Sequence, residues 1–406
     1  MEEFRILNQY NLILIRYGEV WLKSQKVKIR MLKVLINNII EMLDRNQVSF
    51  SKYQLSKDSS RILFFFKNED ILKALKILRN TFGIHSISPA LRTSDALKNI
   101  CERSIEIGKE ILEKNDTFAI RVKRSGKHEY SSMDVAKKVG EVIINEFIGL
   151  NLKVNLTNPK KKIFIEVRQE FTYIFTDIIG SKWGGLPIET QKKIIIMDVG
   201  KLNDLISGFL LMRRGSEIFP LLFSLSDKEE NNYLWYSNWK EVYRYVPFKN
   251  FKVRKVRIVE ILKEVYNKIE DKQYICAICR LIRFDIISKL IEESKPYDFR
   301  KIRAISDGMG LINNSLCPDE VDLNTIIFNY LFSKLPIFTP IIGLSLKKVE
   351  KYAQRISANL KTFDYCQFKP KDQDFDKERV KSLYKSLNLN NLIENALKNA
   401  EIIKIE

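Results

Sequence analysis

Lys193-Ile194-Ile195-Ile196-Met197-Asp198-Val199-Gly200-Lys201-Leu202-Asn203-Asp204 joins a short apolar run to a second apolar segment that ends at Arg213-Arg214-Gly215. The run at 193–197 reads as a buried strand, and the segment after residue 201 as a helix. From Lys193 onward strand-like and helix-like stretches alternate, which predicts a parallel sheet wrapped by helices. In such a sheet the turn from strand to helix, here residues 198–204, is where a nucleotide loop belongs.

The 406 residues are enough for two or three domains with cores of their own. Lys plus Arg number 69 against 50 Asp plus Glu, a net charge of +19. That surplus fits a polyanion partner, since each phosphate neutralised by Lys or Arg releases counterions; solvated charged faces explain it equally well. No apolar run is long enough to span a bilayer and the N-terminus lacks the layout of a signal peptide, so a soluble, cytoplasmic chain with no membrane partner is expected. Five cysteines do not make a disulfide framework in a chain of this length, and two histidines nearly exclude His-based catalysis and multi-His metal sites.

Upstream of the opening stretch, residues 9–16 and 61–66 read as strands. A turn at Gly18 leads into an amphipathic helix through Leu43, and residues 70–81 form a second helix that stops before Gly83. Ser88-Pro89-Ala90 is expected to close this small β-α-β unit, because proline ends regular structure. Residues 95–114 and 134–147 read as helices, 117–123, 163–168 and 173–176 as strands, and Gly184-Gly185-Leu186-Pro187 as a linker.

Four segments of the front half occur in a telling order. They are Arg16-Tyr17-Gly18-Glu19-Val20-Trp21-Leu22-Lys23; Phe82-Gly83-Ile84-His85-Ser86-Ile87-Ser88-Pro89-Ala90; Phe118 through His128; and Asn158-Pro159 with Ile163-Phe164-Ile165-Glu166-Val167-Arg168. Together they resemble the tRNA 4-thiouridine synthetases, the tRNA sulfurtransferases of the ThiI type. The resemblance implies a multidomain α/β and α+β chain: a ferredoxin-like domain over 1–88, a THUMP RNA-binding domain over 89–182 and a PP-loop ATP pyrophosphatase-like domain over 183–406. The last would be a doubly wound parallel sheet. tRNA is then the expected partner, with ATP and Mg as cofactors.

The residues of the third segment agree. On a strand Arg121, Lys123 and Ser125 point one way, and Gly126 allows a tight turn that brings backbone N–H groups close to phosphate. Arg124, Lys127 and His128 extend the basic patch, and Lys160-Lys161-Lys162 are placed near it. Such contacts read RNA backbone and shape; an ordinary solvated strand and turn is the alternative. His85 is expected to be structural, in the junction turn.

The back half departs from the family. Aligned on Leu210–Gly215, Val199-Gly200-Lys201-Leu202-Asn203-Asp204 falls on the family's Ser-Gly-Gly-x-Asp-Ser, and only Gly200 is kept. Val199 is β-branched and resists unusual backbone angles, and Asp204 puts a negative charge where a hydroxyl faced phosphate, offset in part by Lys201. These residues read more readily as a strand-turn-helix that holds no nucleotide. Gly185-Leu186-Pro187-Ile188-Glu189 loses the last glycine of the family's linker. Ser306-Asp307-Gly308-Met309-Gly310-Leu311 keeps an acid at Asp307 and a glycine at Gly310 but loses the glutamine.

Cys276-Ala277-Ile278-Cys279-Arg280 opens a predicted helix, so both thiols share one face. Cys366 matches the family's catalytic cysteine, from which sulfur displaces AMP after ATP has adenylated the uracil carbonyl. The resemblance to members that lack a rhodanese domain implies that Cys276, Cys279 and Cys366 are iron–sulfur ligands; small apolar core residues are the alternative. Cys101 and Cys317 fit no motif. Arg280 and Arg283 could meet RNA phosphate, AMP or a helix carboxylate. Three functions stay open: a working tRNA sulfurtransferase, a non-catalytic tRNA-binding module, and a sulfur relay that serves an active paralogue. A homodimer, the sulfur donor and a part in thiamine synthesis are open as well.

Overall fold

In the computed structural model, which describes residues 6–293, 301–310, 323–362 and 366–405, internal contacts divide the chain after Leu186. The first unit is built on one sheet. In chain order its strands are β1 (Leu12–Tyr17), β2 (Lys52–Leu55), β3 (Ile62–Phe65), β4 (Ile84–Ser94), β5 (Thr117–Ser125), β6 (Lys153–Val154), β7 (Lys161–Arg168), β8 (Phe171–Phe175) and β9 (Ile179–Gly180). They lie in the order β2-β3-β1-β4-β8-β7-β5-β6, with β9 also on β4. Helices α1 (Gln25–Arg45), α2 (Asn68–Leu78), α3 (Leu97–Ile111) and α4 (Ser132–Glu146) pack apolar residues against those of the strands to form its main core.

Strand β4 does not stop at Pro89. Residues 84–90 pair with β1 and residues 91–94 with β8, so one strand joins the two halves of the sheet. Pro89 is tolerated because it falls between the β9 contact at Ser86 and Ile87 and the β8 contact from Leu91. There β4 has a partner on one flank only, and a missing N–H need cost no ladder hydrogen bond. His85 lies on this strand, exposed and beside Gly18, rather than in a turn.

The second unit is a sheet of β10 (Lys193–Asp198), β11 (Ile218–Ser224), β12 (Lys252–Arg257), β13 (Ile302–Ser306), β14 (Ile337–Phe338) and β15 (Glu401–Lys404). The order is β14-β13-β10-β11-β12-β15, parallel except for β15. Its helices are α5 (Leu202–Arg213), α6 (Glu229–Tyr243), α7 (Val259–Lys268), α8 (Ile275–Glu293), α9 (Leu323–Phe332), α10 (Leu346–Ile356), α11 (Lys377–Leu387) and α12 (Asn390–Lys398). Ile195 and Met197 face a core that contains α7 and α8, whereas Ile196 meets α5 at Gly208. Both faces of β10 are therefore covered, which is why it reads as an unbroken apolar run. The chain winds β10-β11-β12 one way and then places β13 on the other flank of β10. This switch point, at the carboxyl ends of β10 and β13, is where ligands bind in open parallel sheets.

Candidate functional site

Asp198 ends β10, Gly200 takes a left-handed φ of +94°, and α5 starts at Leu202. The one glycine kept from the family's loop is the one the turn requires. The amides around this turn are satisfied by the chain itself. Asp204 Oδ2 accepts from the Val199 N–H at 3.1 Å and Asp204 Oδ1 from the Gly308 N–H at 2.7 Å. Asp198 Oδ1 accepts from the Gly200 N–H at 2.7 Å, while its Oδ2 accepts from the indole N–H groups of Trp235 and Trp239.

Both carboxylates are buried, and both are harder to ionise than usual. Burial and then the neighbouring Asp204 push Asp198 up to about 7, against the indole and amide hydrogen bonds. Burial also raises Asp204, opposed by Lys201 and the amides of Val199 and Gly308, with Asp307 adding to the rise. Val199 and Asn203 are buried beside them. At Gly308 a Cβ would lie 2.5 Å from the Asn203 carbonyl carbon and from the Asp204 nitrogen, so this position has no room for a side chain. Gly310 is buried two residues further on.

Asp307 is ion-paired with Arg280, whose Nε donates to Asn329 Oδ1 at 2.6 Å. Arg280 and Arg283 are both buried, so of the three partners open to them in sequence Arg280 takes a carboxylate, and not one on its own helix. Arg280 also ties α8 to the segment after β13. Cys276 and Cys279 occupy the first turns of α8, and Cys366 lies in a turn closed by the Lys369 N–H on the Cys366 carbonyl at 3.3 Å. All three pack against one apolar cluster that includes Phe328, Phe368 and Phe375. Three thiols are a donor set that suits an iron–sulfur cluster. Among the described residues, however, no three His, Cys, Asp or Glu side chains are close enough to share a metal ion. Cys101 is buried in α3, where burial raises its thiol; Cys317 and Leu311 lie outside the described residues.

On β5 the first half is buried on both faces, with Phe118, Ala119 and Ile120 all inside, and only beyond it are Arg121 and Lys123 exposed with Val122 half-buried between them. Arg124 is exposed too, because the strand end runs out beyond the core. Gly126 has φ +108°, and the turn folds His128 back to Arg124 Nη1 at 3.3 Å and to the Gln169 carbonyl at 3.0 Å. Arg121 reaches the Leu156 carbonyl, and Ser125 Oγ stands 3.4 Å from Asp58. Lys123 and Lys127 are exposed and show no partner among the described residues. Lys160-Lys161-Lys162 do not join this patch. The parallel register sets Lys161 opposite Phe118 and Arg168 opposite Ser125, so they lie at the far end of β5. There Lys160 pairs with Asp116 at 2.6 Å, and Glu113 lies 3.9 Å from both Lys160 and Lys161.

Family profiles match three successive parts of the chain. The ThiI ferredoxin-like domain covers residues 12–88, the THUMP domain 95–177, and the family described as thiamine biosynthesis protein (ThiI) 189–389. The chain belongs to the ThiI family. A probable tRNA sulfurtransferase of Methanosarcina mazei is 27% identical over 97% of this chain and 96% of its own length. One of Methanobrevibacter smithii is 26% identical over 95% and 98% respectively. The fold matches, with a TM-score of 0.81 at 21% identity, a 4-thiouridine synthetase solved as an RNA complex with bound ATP, over 98% of this chain and 100% of that one.

The ThiI-type loop residues Val199, Gly200, Lys201, Asn203 and Asp204 do come together with Asp307 at the switch point. Sequence reasoning missed Asp198, Trp235, Trp239 and Gly308. A signal existed for the tryptophans, four residues apart and so on one helix face, and for Asp198 as the charge that ends an apolar strand. Nothing in the sequence marks Gly308 over Gly310, because only the tertiary contact with Asn203 distinguishes them.

Proposed function

We propose that this protein is an ATP-dependent tRNA sulfurtransferase that converts a uridine of tRNA to 4-thiouridine in the cytoplasm. The observation that carries this is the end-to-end match to tRNA sulfurtransferases, over 97% of this chain and 96% of the M. mazei relative; Cys366 is our candidate for the catalytic cysteine. Residues 1–88 and 89–182 serve as the ferredoxin-like and THUMP domains that hold tRNA, with Arg121, Lys123, Arg124, Ser125, Gly126, Lys127 and His128 against the RNA backbone. Residues 183–406 carry the chemistry. Mg-ATP occupies the turn at 198–204, whose amides and α5 N-terminus suit a polyphosphate.

ATP transfers AMP to the uracil oxygen and releases pyrophosphate; hydrosulfide from an external donor, positioned by Cys366, then attacks the activated carbon and gives up its proton, and AMP leaves with the oxygen, so the step needs no oxidant or reductant. Cys276 and Cys279 complete the thiol set. The Arg280–Asp307 pair supports this arrangement, since it runs from the residue next to Cys279 to the residue next to Gly308. The test is an anaerobic reaction of purified protein with tRNA, Mg-ATP and sulfide, read by nucleoside mass spectrometry. 4-Thiouridine that disappears without ATP and in Cys366→Ser is expected. Its absence with sulfide and with a persulfide donor alike would overturn the proposal.

A further inference from the structure

We propose that Asp204 is a built-in occupant of the phosphate site: in the nucleotide-free chain its carboxylate fills the amides a polyphosphate needs, and nucleotide enters by displacing it. This rests on the reading of residues 198–204 as the nucleotide loop. A polyphosphate site at a strand-turn-helix is a set of convergent N–H groups. Here those of Val199 and Gly308 converge on the two oxygens of one carboxylate, at 3.1 and 2.7 Å. The adjacent Gly200 N–H is taken by Asp198.

A carboxylate bridging two amides from separate segments presents the same pair of anionic oxygens that a phosphate would. A serine in its place is shorter and carries no charge, so it does not compete with an anion for these donors as a carboxylate does. Gly308 makes the closure tight, because its backbone lies directly on the first turn of α5.

Two anions do not share these donors, so nucleotide and Asp204 compete. Lys201, at the N-terminal boundary of α5, is the cation that acts on Asp204. It is placed to receive the displaced carboxylate or to meet the incoming phosphate. Asp198 and Asp307 add negative charge around the same turn, and Arg280 neutralises only the latter. The loop therefore favours a ligand with further contacts beyond phosphate over a free phosphate or pyrophosphate. Its nucleotide affinity is set by how readily one side chain leaves.

The experiment is calorimetric titration of Mg-ATP into the full chain, wild type against Asp204→Ser and Asp204→Asn, with thermal unfolding of each. Asp204→Ser is expected to bind at least about tenfold more tightly than wild type, with Asp204→Asn between them because it keeps an acceptor but loses the charge. If Asp204→Asn alone folds, tighter binding than wild type still supports the proposal. Folded variants that bind within twofold of wild type, more weakly, or not at all would overturn it. The thiolation assay separates the two levels. Wild-type thiolation with no gain in Asp204→Ser removes the occupant and leaves the function; a gain with no thiolation by any form does the reverse.

Discussion

The two units each bury carboxylates, and they handle the charge in opposite ways. In the first, Glu166 on β7 is met by three guanidinium groups: Arg16 and Arg61 at 2.9 Å and Arg168 at 3.2 Å. In the second, Asp198 and Asp204 are held by indole and backbone N–H groups, and Lys201 is the cation that favours the charged form of Asp204. Burial alone would raise all three. Arg16 and Arg61 overcome it and hold Glu166 down to about 2, whereas burial and mutual repulsion leave Asp198 at about 7. The first arrangement ties β1 and β7 to the residue that precedes β3; the second keeps carboxylates that resist ionisation at a switch point. A buried charge that is fully paired reads as architecture, and one that is not marks a place where something else is meant to bind.

The largest effect expected from breaking this contrast is at Glu166. Glu166→Gln leaves three arginines facing one another in a nearly dry site, which should cost the first unit about 3–5 kcal/mol in chemical denaturation. A loss below about 1 kcal/mol would mean that Asp58, 3.2 Å from Arg168, suffices to hold the cluster.

The pH dependences of the two units should have opposite signs. Glu166, depressed from 4.5, contributes stability that is complete above that value and disappears as pH falls toward 2, about 3 kcal/mol in all. Asp198 is raised from 3.8 to about 7, so the native state binds the extra proton. Its favourable contribution is complete below about pH 4 and is lost as pH rises through 7. Unfolding of the second unit, followed by fluorescence of Trp235 and Trp239, should therefore shift to higher temperature between pH 8 and pH 5, and Asp198→Asn should flatten that trend. A second unit that weakens over the same interval would contradict the assignment of Asp198 as an under-compensated acid.

A smaller effect sharpens the contrast from the backbone side. Gly308→Ala places a methyl group against the Asn203 and Asp204 backbone, which cannot yield as a side chain would. A cost of about 1–3 kcal/mol is expected in denaturation of the second unit, with faster exchange of the Gly308 amide proton. An unchanged midpoint would show that the segment after β13 moves freely and does not seal the loop.

Much of this was legible in residues 193–215, where an apolar strand, one glycine and an apolar helix specify a turn at the end of a central parallel strand. The alternation that follows gives helices on both faces. What the sequence concealed depends on register and on distant partners. Pro89 looks like a stop until β4 is seen to have one free flank there. Lys160–Lys162 look like part of the basic patch until the β5–β7 register carries them to the opposite end. The edge strand β15 is four residues whose only local signal is Ile402-Ile403, and its place beside β12 comes from pairing that includes Lys255 with Glu401. Asp204 read as a charge that repels phosphate; that it bridges two amides depends on Gly308, 104 residues away.

The smallest expected effect concerns charges that are not buried at all. Along β5 and its turn, Arg121 and Arg124 are tethered to backbone carbonyls of this chain, whereas Lys123 and Lys127 extend without a partner among the described residues. A tethered guanidinium must give up a bond before it meets phosphate, but a solvated ammonium loses only water and counterions. Lys123→Ala and Lys127→Ala should each weaken tRNA binding evenly across sequences and lower the slope of log K against log salt by about 0.7–0.9, with no change in melting temperature. Arg124→Ala should reduce the slope less and loosen the turn, since its contacts with the Gly126 carbonyl and His128 go with it. Equal slopes for all four proteins would place the RNA elsewhere on the first unit. A larger change for Arg124 than for Lys123 would show that the tether is a precursor of the RNA contact rather than a rival to it.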